Sequence, residues 1–114
     1  MPRRADVVLD EILVTIAGVE AAVERHNSAS FDKEWFLQRG VERGLEIVSE
    51  AVRHLPESLL ASRPEISWPD IRAIGNLIRH EYHRVESKVI WSVVTDDLPT
   101  LRNAIEAMRR NLLQ

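Results

Sequence analysis

SWPDIRAIGNLIRHEY, residues 67–82, is written as a helix from its first residue. Ser67 is a good N-cap, Pro69 suits the first turn, and Asp70 follows the cap by three residues, where a carboxylate can answer unpaired amides. Trp68 is placed to staple the chain to the helix start. Behind this opening, Ile71, Ile74 and Ile78 recur at the steps of a single helical face. The opposite face is polar. Taking about 100° per residue, Asn76 lies about 40° from Arg72, Arg79 about 20° to one side and His83 about 20° to the other. His80 and Tyr82 flank this stripe at about 80° on either side. Gly75 interrupts the helix beside the stripe and leaves room for a ligand or another backbone. The spacing predicts a helix over 68–82.

The same periodicity organises the rest of the chain. Val8, Ile12, Ile16, Val19 and Val23 mark an amphipathic helix from Ala5 to about Arg25. Residues 27–30 form a polar break, and Ser30 is expected to cap a helix beginning near Asp32. Val41, Leu45, Val48 and Val52 are the inner stripe of a helix from roughly Leu37 to His54. Gly40 and Gly44 lie four apart on it. Each costs about 1 kcal/mol relative to Ala, and the expected return is close approach of a neighbouring helix, from this chain or a second subunit. Pro56 and Pro64 bracket a loop holding at most one helical turn. Val85 and Glu86 open another helical stretch through Val89, Ile90, Trp91, Val93 and Val94. Asp97, Leu98 and Pro99 are expected to end it and to open the last helix, with Asp96 and Asp97 as its cap and Leu101, Ile105, Met108 and Leu112 facing in. The prediction is all-α: an up-down bundle of four main helices plus short pieces, in one domain spanning 1–114.

Composition narrows the chemistry. There is no Cys among the 114 residues, so disulfides and thiolate metal sites are excluded, which fits a reducing cytoplasm. No apolar run approaches the ~20 residues of a membrane span, and no signal-like stretch follows Met1-Pro2-Arg3-Arg4. A soluble cytoplasmic protein without membrane contact is expected. The net charge of −3 provides no global basic field of the kind that drives nucleic-acid binding. Of the 15 cations, however, only Lys33 and Lys88 are Lys. Contact with a nucleic acid must therefore be local, in a cleft.

Residues 72–84 concentrate the reactive side chains: three Arg, two of the four His and the lone Tyr. Arg offers a planar, permanently charged fork for phosphate, and His exchanges protons near neutral pH. Arg72, Asn76, Arg79 and His80 are the candidate site residues, with His83 accessory and Tyr82 a candidate phenol nucleophile. The run His80-Glu81-Tyr82-His83 misses the metalloprotease spacing by one residue, so no metal and no cofactor are expected. Glycine-rich phosphate loops and nucleophile elbows are absent. His26 and His54 stand near helix C-termini, where a cation is favourable.

The order Trp68…Ile71…Asn76-Leu77-Ile78-x-His80-x-Tyr82…Val85-Glu86…Val89-Ile90-Trp91…Asp97-Leu98-Pro99-x-Leu101 resembles HepT-like proteins of the HEPN superfamily. Residues 43–51, RGLEIVSEA, look like that family's long-helix signature. The resemblance implies an all-helical homodimer whose motif helices meet in a cleft at the subunit interface. It also implies a ribonuclease toxin of a type VII-style toxin–antitoxin pair. The antitoxin would be a minimal nucleotidyltransferase that transfers AMP to the motif Tyr and silences the nuclease. Carried over, the motif His is His80, the AMP acceptor is Tyr82, and Asn76 matches the polar residue after the motif Arg. The motif Arg position itself is Gly75. Arg72, eight residues before His80, and Arg79, adjacent to it, are the cations that remain. Two readings follow: a metal-independent ribonuclease acting on RNA with a displaced Arg, or a degenerate, non-catalytic partner of a nucleotidyltransferase or a nucleotide. A plain interaction dimer is a third.

Overall fold

The computed structural model describes residues 4–81 and 86–112, with only the backbone of His80 and Glu81. Among these residues there are seven α-helices, one π-helical turn and no strand. The long helices are α1 (Ala5–Val23), α3 (Trp35–Val52), α5 (Trp68–Glu81) and α7 (Leu98–Leu112). The short ones are α2 (Ser28–Asp32), α4 (Glu57–Ala61) and α6 (Ser87–Ser92). Among the described residues the all-helical class expected from the sequence holds.

α3 is the central element, packed against α1 on one side and α5 on the other, while α7 packs on α1. Ser49 contacts Arg72 and Gly75, and the earlier residues Arg43 and Glu46 share a pocket with Arg79. Pairing that runs in opposite senses makes α3 and α5 antiparallel. By the same reasoning α1 and α7 are antiparallel: Arg102 binds Glu20, and Arg109 Nε donates to Asp10 Oδ1 at 2.8 Å. The predicted stripes are the core, except that Leu112, expected to face in at the end of α7, is exposed. Leu9, Ile12 and Ile16 of α1, Val52 of α3 and Ile105 of α7 are fully buried, with Phe31 from α2 between them and Trp91, ring centroids 5.3 Å apart.

Two boundaries differ from the sequence reading. Asn27, not Ser30, is the N-cap after the polar break. The Asn27 side chain accepts from the Ser30 amide at 2.8 Å, and the Ser30 hydroxyl accepts in return from the Asn27 amide at 3.0 Å. That is a capping box with Ser in the third position. His26 leans on the same Ser30 hydroxyl at 3.1 Å.

The second difference lies at Asp97–Pro99. No break occurs there; α6 passes through a π-turn, Val93–Asp97, directly into α7. Pro99 explains it. A proline inside a helix has no N–H to give and its ring crowds the carbonyl four residues back. Widening the preceding turn is one way a helix relieves that conflict. Asp96 is accordingly no cap of α7; its carboxylate accepts from the Ser92 hydroxyl at 3.0 Å within the turn.

Packing within the chain accounts for one of the two glycines of α3. A Cβ on Gly44 would stand 2.5 Å from Val19 Cγ2, so Gly44 is what lets α1 approach. A Cβ on Gly40 would meet nothing within 4 Å.

Candidate active site

α5 begins at Trp68, where the sequence places it. The Ser67 carbonyl accepts from the amides of Asp70 and Ile71, at 3.0 and 3.2 Å. Trp68 is buried, and its indole N–H donates to the carbonyls of Leu60 and Arg63, tying α5 to the α4 turn. Ile78 is buried and Ile71 and Ile74 half-buried, so the apolar face of the helix points inward as expected.

On the other side Asn76 and Arg79 are exposed and joined. Arg79 Nη2 donates to Asn76 Oδ1 at 2.5 Å. Arg72 sits one turn earlier, half-buried, with Nη2 3.5 Å from Glu57 Oε1. Its Nε–H is buried without a partner among the described residues. The backbone of α5 carries His80 as its penultimate residue, directly after Arg79. Tyr82 and His83 lie outside the described residues. Arg72, Asn76 and Arg79 thus line one flank of α5 and lead to His80.

The stripe is not electrostatically isolated, contrary to its appearance in the sequence. The pocket lined by Arg79 is walled by Glu11 of α1 and by Glu46 and Glu50 of α3, with Arg43 and Ile47 beside them. Acids absent from the stripe itself come from neighbouring helices. A phosphate approaching Arg79 therefore meets one converging cation and nearby carboxylates, which favours a small, directed contact over broad electrostatic attraction.

Gly75 is buried, and the room it leaves is already filled. The Ser49 hydroxyl of α3 donates to the Arg72 carbonyl at 2.9 Å and accepts from the Gly75 amide at 3.2 Å. A Cβ at position 75 would lie 2.7 Å from Ser49 Oγ and 3.0 Å from Ser49 Cβ. This space is filled by α3. Arg53, one turn further along α3, also donates to the Arg72 carbonyl at 3.3 Å. Sequence reading missed Ser49 and Arg53. A single hydroxyl on the inner stripe of a long helix was the only available signal for Ser49, and nothing marked Arg53.

Among the described residues no group of three or more His, Asp or Glu is placed to hold a metal ion, and no helix is long and apolar enough to cross a membrane.

Fold and site together define an all-helical protein with an Asn/Arg/His-bearing helix packed on a long central one. Residues 12–108 match the family model described as ribonuclease HepT-like, and the chain belongs to that family. A candidate RNase of Caldanaerobacter subterraneus subsp. tengcongensis is 30% identical over 90 residues, 76% of this chain and 80% of that one. A candidate ribonuclease HepT of Thermococcus cleftensis is 33% identical over 73 residues, 64% of this chain and 66% of its own length. A candidate RNase of Methanocaldococcus jannaschii is 28% identical over 89 residues, covering 75% and 74%. No solved structure gives a significant match.

Proposed function

We propose that this chain, as a single HepT-like unit, is a metal-independent endoribonuclease in which His80 is the proton-transfer group. The observation that carries the reading is the position of Asn76 and Arg79. They are exposed, hydrogen-bonded to each other and immediately upstream of His80, on the motif helix of a ribonuclease HepT-like chain. The His80 imidazole takes the proton of a ribose 2′-hydroxyl. The freed oxygen attacks the adjacent phosphorus, the bond to the 5′-oxygen breaks, and that oxygen leaves with a proton. The products are a 2′,3′-cyclic phosphate and a 5′-hydroxyl. Arg79, oriented by Asn76, offsets charge building on the non-bridging oxygens, and Arg72 holds a neighbouring phosphate. His83 is accessory. A second copy supplies the opposing acid across a two-fold axis.

In this reading the chain is the toxin of a toxin–antitoxin pair in the cytoplasm, and a minimal nucleotidyltransferase is its antitoxin. The phenol oxygen of Tyr82 attacks the α-phosphorus of ATP and pyrophosphate leaves, so the bound AMP places bulk and negative charge two residues from His80 and repels the RNA backbone. The alternative, a non-catalytic nucleotidyltransferase partner, draws on Gly75 standing where the family carries Arg.

Purified protein incubated with single-stranded RNA in a chelator is expected to yield fragments ending in 2′,3′-cyclic phosphate. Intact RNA after prolonged incubation would reject the nuclease and leave the partner reading. Tyr82 can be tested apart from cleavage. With a cognate nucleotidyltransferase and ATP, the mass of the chain should rise by one or more AMP groups, and Tyr82→Phe should abolish the gain. An adduct that survives Tyr82→Phe rules out the phenol as acceptor, because Tyr82 is the only tyrosine.

A further inference from the structure

The cleft beside Arg79 carries both signs of charge, which a phosphate site alone does not explain. It encloses about 300 Å³, the lower end of the range for a small-molecule pocket. Arg79 lines it from α5, and Arg43, Glu46 and Glu50 line it from α3 together with the apolar Ile47 and Ala51. Glu46 is the recessed acid. Its side chain is only 19% exposed, with Oε2 3.7 Å from Arg43 Nη1, beyond hydrogen-bond reach. Glu50 is 58% exposed and shared with Arg53 and His54 at 3.8 and 3.7 Å. Among the described residues these carboxylates are not grouped as a metal site requires. An ionised carboxylate only accepts hydrogen bonds and repels phosphate. A ligand of this cleft must therefore present donors to Glu46 beside an anion that Arg79 holds.

We propose that the cleft takes an unpaired guanine base of the RNA, next to the bond cut at His80; the placement beside that bond rests on the proposed ribonuclease reading. Unpaired bases are read on their Watson–Crick edges and stacked on aromatic rings or on Arg guanidinium planes. Guanine sets two donors, N1–H and N2–H, side by side on that edge, and one carboxylate accepts both. Adenine and cytosine set a ring-nitrogen acceptor beside their amino group, which turns a lone pair toward the second carboxylate oxygen. Uracil flanks its single N–H with two carbonyls. Glu46 therefore selects guanine. The Arg43 side chain, 70% exposed, is long enough to lie over the ring, and Ile47 offers apolar surface to it. The phosphate of the same nucleotide reaches Arg79, which Asn76 already orients, one residue before His80.

Fluorescence anisotropy of the full chain with short labelled oligouridines tests this. Each carries one central guanine, hypoxanthine or adenine on 2′-fluoro sugars, which lack the hydroxyl needed for cleavage. Guanine is expected to bind about 10-fold or more tighter than adenine, the size of a hydrogen bond to a charged group. Hypoxanthine, which lacks the N2 amino group, should fall between them. Glu46→Gln turns one acceptor into a donor and should bring the guanine affinity down to that of adenine, with helix content by circular dichroism unchanged. Equal affinity for guanine and adenine in wild type, or a preference that survives Glu46→Gln, overturns the proposal. So does free GMP displacing the guanine oligomer at equal concentration, which would assign the cleft to a free nucleotide. On cleavable RNA, a wild type that cuts without regard to guanine sinks the base pocket and spares the nuclease. A wild type that prefers guanine and cuts nothing sinks the nuclease and spares the pocket.

Discussion

His80→Ala is expected to lower RNA cleavage by about 10²–10⁴-fold, the range typical of a lost proton-transfer group. The helix should survive the change. His80 is the penultimate residue of α5, where replacement by Ala, the best helix former, costs nothing in propensity. Circular dichroism and thermal unfolding should therefore match wild type while the rate collapses. The pattern distinguishes chemistry from binding. Arg79→Ala removes charge stabilisation and is expected to cost about 10²–10³-fold, whereas His83→Ala should cost less than either. The initial rate of cleavage of a fluorescent single-stranded RNA is the measurement. Equal rates for wild type and His80→Ala would remove His80 from the mechanism.

Gly75→Arg, which puts Arg where the resemblance expects the motif Arg, is expected to destabilise the chain instead of activating it. A side chain at 75 starts 2.7 Å from Ser49 Oγ, with Ser49 Cβ at 3.0 Å, and Ser49 itself is buried. Relief means either moving α5 off α3 or turning the hydroxyl away from the Arg72 carbonyl and the Gly75 amide. Overpacking of this kind costs about 1–3 kcal/mol, and the lost hydrogen bonds about 1 kcal/mol more. Replacing Gly within a helix returns only about 1 kcal/mol. The sum is a loss, read as a lower urea midpoint. Ser49→Gly combined with Gly75→Arg removes the obstructing atoms, so the two changes should be non-additive, with the double variant more stable than Gly75→Arg alone. If Arg at 75 supports cleavage, the gain should appear in the double variant. A single Gly75→Arg variant as stable as wild type would mean that the α3–α5 contact is looser than its geometry implies.

Much of this protein is legible in one dimension because helices announce themselves locally. The 3.6-residue stripes at Val8–Val23, Val41–Val52 and Leu101–Met108 gave the core faces, and the Ser67–Asp70 start gave the opening of α5. Periodicity also turned Asn76 and Arg79 to the same side. It could not reveal what stands opposite them. That Asn27 outcompetes Ser30 as a cap depends on which oxygen reaches which amide, a choice of less than a turn. Pro99 reads as a helix start in the sequence, but α6 runs through the π-turn Val93–Asp97 into α7, so the proline is absorbed by a widened turn.

The sequence by itself determined the all-helical class, the inward faces of the long helices and the clustering of Arg, Asn and His on one of them. All three follow from the fixed geometry of a helix acting on the order of residues. Only the tertiary structure decided that Gly75 is closed by Ser49, that Arg79 shares a pocket with Glu46 and Glu50, and that Gly18 and Gly40 line one groove. Each of those facts joins residues more than twenty positions apart, and only packing brings them within reach of one another.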